Sequence, residues 1–209
     1  MIDNQYWDEF YAKSSKVKRL SYPSQFAAFV YGEMGDVENI LEFGCGTGRD
    51  AFFFAEFGKR VFAFDGAQSV ITANRKKSEG HLYQPSFQVF DVDGEFPGTG
   101  DPVTGTKCVY ARFFIHALRN DQIERFFALC ESILTKGEKL YLEYRTEKDA
   151  EGVRETGQHY RNYLNSRKVT EMLGDVGFKC QYSVEGVGFA KWGADDAYVA
   201  RHVMERIDG

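Results

Sequence analysis

The sequence predicts an α/β fold, a single doubly wound and mostly parallel sheet with helices on both faces. Three observations carry that prediction. Short apolar stretches alternate with amphipathic ones along most of the chain. The first apolar stretch runs directly into a glycine-rich turn, ILEFGCGTGRD (40–50), at the place where a first crossover would begin. With 209 residues and 43% hydrophobic content, the chain is long enough for one domain with a sizeable core and too short to require two.

The elements follow in order. VENILEFG (37–44) is apolar and suits a buried strand, and RDAFFFAEFG (49–58) is helix-like and closes on Gly58, a helix stop. KRVFAFDG (59–66) reads as a strand ending at Asp65, followed by a helix over 67–80. PSFQVFDVD (85–93) is a strand ending in acids, and KCVYARF (107–113) is the next. A helix over 121–137 leads to the strand EKLYLEYR (138–145), and SRKVTEMLGDVGF (166–178) is a further helix. KCQYSVEGVGF (179–189) and DAYVARHVMERI (196–207) form a final strand pair, making seven strands. Residues 1–36, rich in aromatics, are expected outside the sheet as a helical lid. There Trp7 and Tyr11, four apart, share one face of a short helix. The polar segment 145–168 is too long for a simple connection and reads as a substrate-side insert.

Composition removes several classes of function. A net charge of -5 gives no general attraction to nucleic acid or anionic membranes. No apolar run approaches the ~20 residues that span a bilayer. The N-terminal MIDNQYWDEF is acidic and aromatic, unlike a signal peptide. Cys45, Cys108, Cys130 and Cys180 are dispersed, with no CxxC pair and no clustered histidines. The expectation is reduced thiols in a cytoplasmic protein and no metal site.

The glycines carry the chemistry. A dinucleotide loop needs a third small residue three positions after its second glycine, to let helix and strand pack under the pyrophosphate. Here that position is Arg49, so the dinucleotide pattern fails. The spacing is instead ExGxGxG, with Glu42, Gly44, Gly46 and Gly48. This loop resembles the first motif of class I S-adenosylmethionine-dependent methyltransferases. Three further features stand in the family's order: Asp65 at the end of the second strand, Asp91 ending FQVFD, and ILTKGEKLYLEY before the fifth strand. The resemblance covers roughly residues 37–145. It implies a Rossmann-like seven-stranded sheet with a reversed last strand, and S-adenosylmethionine as cofactor. The methionine part would lie on the glycine backbone, Asp65 and Gly66 at the ribose, and Asp91 and Val92 at the adenine. Trp7, Tyr11, Glu42 and Arg112 complete the implied cofactor set.

Methyl transfer from a sulfonium requires alignment more than protein-supplied chemistry. The residue placed for a direct role is His116, just beyond the fourth strand in CVYARFFIHAL. It is expected either to take a proton from the acceptor or, as a cation, to hold an anionic one. That segment lacks the Asp/Asn/Ser-Pro-Pro-aromatic signature of enzymes that methylate amino groups of DNA or of protein glutamine, so a small acceptor with an oxygen nucleophile is expected. Arg145, Arg154, Arg161, Arg167 and Lys168 in the insert, and Lys191 in EGVGFAKWGADD (185–196), suggest an anionic acceptor. YWDEFYAK, YPSQFAAF, RFFIHAL, HYRNYL and EGVGFAKW also resemble a bacterial subgroup associated with surface-polysaccharide and phosphonate biosynthesis. That resemblance implies a phosphonate or phosphate-like acceptor held by His116, Arg161, Tyr22 and Lys191. Two other readings stand beside it. GCGTGRDAFFFAEFG also resembles the thiopurine and tellurite-resistance methyltransferases, whose soft acceptors need no base. The third is a cofactor-binding protein without catalysis.

Overall fold

The computed structural model describes residues 9, 22–100, 102–150 and 160–207. Of the expected lid, Trp7 and Tyr11 lie outside the described residues, as do Arg154 and His159 of the insert. The seven strands form one sheet in the order β3-β2-β1-β4-β5-β7-β6. By its internal contacts the chain divides into two compact units, Met1–Lys107 and Cys108–Gly209.

In the first unit, α1 (Gln25–Glu33) precedes β1 (Asn39–Phe43), α2 (Arg49–Glu56), β2 (Arg60–Asp65), α3 (Gln68–Ser78) and β3 (Ser86–Val89). β1 pairs with β2 and β2 with β3, both parallel. All five residues of β1 are buried, Asn39 and Glu42 included, which fits a strand covered on both faces rather than one with an exposed side. Its aromatic core joins Phe43 to Phe64, ring centroids 5.0 Å apart, with Phe90 and Phe96 edge-on to each other at 5.5 Å. Ser24 caps α1, its hydroxyl accepting from the Ala27 amide at 2.9 Å.

β3 is shorter than the strand expected over 85–93. Asp91 bends the chain just after β3, its carboxylate accepting from the Asp93 amide at 3.0 Å and its carbonyl from Gly94 at 2.9 Å. An Asp side chain that satisfies its own backbone competes with a ladder, and here the turn wins.

In the second unit, β4 (Lys107–Arg112, whose first residue belongs to the other unit) pairs parallel with β5 (Lys139–Arg145). Between them, α4 (Asn120–Ile133) buries Ile123, Phe126, Phe127 and Cys130 at helical spacing. The helix stops before the expected residue 137, because Leu134 is extended and Gly137 takes a left-handed φ of 87°. Then come α5 (Ser166–Asp175), β6 (Phe178–Gly186) and β7 (Val199–Arg206). β7 runs antiparallel to both β5 and β6, giving the reversed last strand. His202 is fully buried in β7, and burial pulls its pKa down to about 4, with Glu185 opposing. It is neutral at physiological pH and bonded to the Tyr144 hydroxyl at 2.9 Å.

Candidate functional site

The glycine loop of the first unit is built from the β1 end outward. Gly44 and Cys45 both donate to the Phe64 carbonyl, at 2.8 and 3.0 Å, continuing the β1–β2 pairing into the loop. Gly44, Gly46 and Gly48 have φ values of 75°, 49° and 72°, the left-handed region that side chains disfavour. Gly48 has a second reason to lack a side chain. A Cβ there would sit 3.0 Å from Phe87 and 3.1 Å from Phe52, in the helix–strand contact.

Gly46 is held from both sides. Its amide donates to Asp65 Oδ2 at 2.9 Å and its carbonyl accepts from Asn74 Nδ2 at 2.7 Å. Asp65 Oδ1 accepts from the Ala67 amide at 3.0 Å. These two bonds orient the Asp65 carboxylate at the end of β2. Asn74, buried on α3, and Asp50, which accepts from the Ser24 amide and hydroxyl at 2.8 and 2.7 Å, are supports that motif reading missed. Their signal was a polar residue at a position that the helix buries. Glu42 is buried beneath the loop. Burial first, then Asp65 and Glu42, push the Cys45 thiol well above its ordinary range, so it is not a thiolate nucleophile. Gly66 and half-buried Asp91 follow their strand ends, and Val92 is buried.

The second unit gathers charge at the β4 and β5 ends. Arg112 pairs with Glu143 at 2.8 Å, and Arg201 takes that carboxylate's other oxygen at 2.7 Å. Arg145 donates to Asp149 at 2.6 Å and to Asp195, and Asp149 also accepts from the Tyr198 amide at 2.7 Å. Burial opposes the Arg145 charge, but the bonds to Asp195 and Asp149 outweigh it and raise its pKa. His116 lies in a short 3-10 helix, Ile115–Ala117, and is 5% exposed. Its Nδ1 accepts from the Arg145 amide at 3.4 Å, and its carbonyl from the Asn162 amide at 2.7 Å. Phe113, just before it, has φ 54°. A bulky residue held there costs on the order of 1–3 kcal/mol, a strain that clusters at functional sites.

Not every expected cation is available to an anion. Arg145 is matched by two carboxylates, and Arg167 meets Glu171 at 2.9 Å on the exposed face of α5. Arg145 therefore serves a buried ion-pair network, whereas the Arg167–Glu171 pair is exposed. Arg161 is half-buried, whereas Lys191 and Tyr22 are exposed.

Residues 40–137 match a family model described as a methyltransferase domain. A methyltransferase described as SAM-dependent, from Methanosarcina mazei, superposes with a TM-score of 0.68 at 14% identity, over 87% of this chain and 98% of its own. The fold is that of S-adenosylmethionine-dependent methyltransferases. A protein solved in work on conversion of a disulfide bond into a thioacetal group during echinomycin biosynthesis has a TM-score of 0.74 at 16% identity, covering 98% of this chain and 92% of that one. The cyclase SpnF shares the methyltransferase fold with a TM-score of 0.69 at 14% identity, covering 92% and 86%. No curated protein matches the sequence significantly. Among the described residues, no cluster fit to hold a metal ion occurs and no helix is long and apolar enough to cross a membrane.

If Asp65 accepts the cofactor's ribose hydroxyls, Asp65→Ala is expected to weaken S-adenosylmethionine binding by about 1.5–3 kcal/mol, the scale of hydrogen bonds to a charged group. Calorimetry reads the affinity and single-turnover kinetics the chemical step, which should change little at saturating cofactor. A slow chemical step with unchanged affinity would move Asp65 off the ribose.

Proposed function

We propose that this protein is an S-adenosylmethionine-dependent methyltransferase that transfers the methyl group to an oxygen of a small anionic acceptor, phosphonate or phosphate-like in character. The observation that carries the cofactor is the left-handed glycine loop, fastened to Asp65 and Asn74, within the segment matching a methyltransferase domain. Gly44, Gly46, Gly48, Asp65, Gly66, Asp91 and Val92 would hold S-adenosylmethionine, with the methionine part against the side-chain-free backbone. The bound cofactor supplies the electrophilic methyl and its own leaving group.

His116 supports the anionic acceptor. A neutral imidazole that accepts an N–H at Nδ1 carries its proton on Nε2. It therefore presents a donor, and to act as a base through Nε2 it would have to give up the Arg145 amide. A donor suits an oxyanion, which is already nucleophilic and needs orientation more than deprotonation. Arg161 and Lys191 are the cations proposed to share that charge. A reducing, cytoplasmic location is part of this proposal, argued from the four cysteines dispersed along the sequence.

Two measurements test it. Calorimetry should show binding of S-adenosylmethionine and none of NAD. Methyl-labelled cofactor offered with a phosphonate, a phosphate monoester, a phenol and a thiol should label the anions. Arg161→Ala should then lower kcat/KM by about 2–4 kcal/mol, because an oxyanion loses a charged partner, with Lys191→Ala next and smaller at its exposed position. His116→Gln, which keeps a donor but takes no proton, should retain more activity than His116→Ala. Label on the phenol or thiol alone overturns the anionic acceptor, and label on none of them despite tight binding overturns the transferase reading.

A further inference from the structure

We infer that Phe113 is the positioning residue for His116, holding the imidazole in the single tautomer that presents Nε2–H to the acceptor; this rests on the role proposed above for His116. Among the described residues, Phe113 alone combines a side chain with a left-handed backbone. Its ring stands nearly perpendicular to the imidazole, at 74° with centroids 5.4 Å apart. The Arg112 and Arg145 guanidiniums lie 4.3 and 5.5 Å from the same ring. The ring also packs against Ala190, Ala197 and Val199 while remaining only half-buried.

Two simpler roles fit this residue poorly. If the position served only to turn the chain from β4 into the 3-10 helix, glycine would supply the left-handed conformation without strain. If it served only the core, the ring would be buried and the backbone relaxed. What the phenyl ring adds is a fixed neighbour for the imidazole. Two guanidiniums attracted to the ring hold it in place, and each is anchored in turn, Arg112 on Glu143 and Arg145 on Asp149 and Asp195. The Phe113 amide donates to the Glu143 carbonyl at 2.7 Å, which locks the backbone beneath the ring. The ring on one side and the Arg145 amide on Nδ1 hold the imidazole, and Asn162 on the His116 carbonyl fixes the backbone that carries it. An unlocked imidazole would sample both tautomers, and the one protonated on Nδ1 offers no donor at Nε2.

The test uses the full chain with Phe113→Leu and Phe113→Gly. Leucine keeps apolar volume but loses the aromatic contacts; glycine also relieves the backbone. Nitrogen chemical shifts of the His116 ring, assigned by loss of the signal in His116→Gln, report the tautomer without any substrate. The wild type should show Nδ1 as a bare acceptor and Nε2 protonated. Both variants should move to averaged shifts while S-adenosylmethionine affinity stays within about twofold. Methyl transfer to the phosphonate or phosphate probe should fall by about 10²-fold, the scale of a misplaced reacting group. Unchanged ring shifts and unchanged transfer in Phe113→Leu would overturn the inference and leave Phe113 a packing residue. A wild type that binds no S-adenosylmethionine, or labels no acceptor, would overturn the proposed function instead, since the ring shifts are read independently of turnover.

Discussion

A Gly46→Val protein is expected to lose S-adenosylmethionine binding by more than about 10²-fold, or roughly 3 kcal/mol, while remaining folded. Two effects act together. At φ 49° a β-branched residue is strained, so the loop backbone must shift. Any shift moves the amide bonded to Asp65 and the carbonyl bonded to Asn74, and so disturbs the proposed ribose carboxylate as well as the methionine surface. The branched side chain would also stand on the surface proposed for the methionine part. The rest of the first unit owes little to this residue, because its core is the Phe43, Phe64, Phe90 and Phe96 cluster. Calorimetry on a variant with native circular dichroism decides the matter. Unchanged affinity would remove the loop from the cofactor site.

Arg145→Met is expected to cost stability on the largest scale of any single change considered, about 3–5 kcal/mol. The substitution keeps length and apolar bulk but leaves Asp149 and Asp195 buried without their cation. Arg145→Lys should recover only part, since an ammonium lacks the planar fork that reaches two carboxylates at once. Lys191→Ala, at an exposed position, should stay within about 0.5 kcal/mol of wild type. Chemical denaturation of the three variants checks the order. A loss below about 1 kcal/mol for Arg145→Met would mean that water reaches the two carboxylates.

The same residue shows where reading the sequence stops. Arg145 stands in the sequence as one cation among several in a polar insert, and a cation after a strand end suggests an anionic ligand. What it touches depends on Asp149, four residues on, and Asp195, 50 residues away. Only the antiparallel return of β7 beside β5 brings the loop carrying Asp195 to it. Arg112 is similar: it falls at the end of β4, in the implied cofactor set, and it bonds Glu143, across the β4–β5 pairing.

The sequence by itself determined the fold class, the order of the elements and the loop that needs glycine. Those features are local: apolar runs bounded by turns, helical spacing, and three left-handed positions that tolerate little but glycine. It also placed Asp65 at a strand end, because a strand that ends in acid is visible along the chain. The tertiary structure alone decided which polar groups are already satisfied. It gave Gly46 its two anchors, matched Arg145 with two buried carboxylates, set the acceptor role of His116 Nδ1 and revealed the strained backbone of Phe113. The physical reason is the same in each case. A charge or a ring nitrogen has no fixed chemistry until its neighbours are known, and those neighbours come from distant parts of the chain.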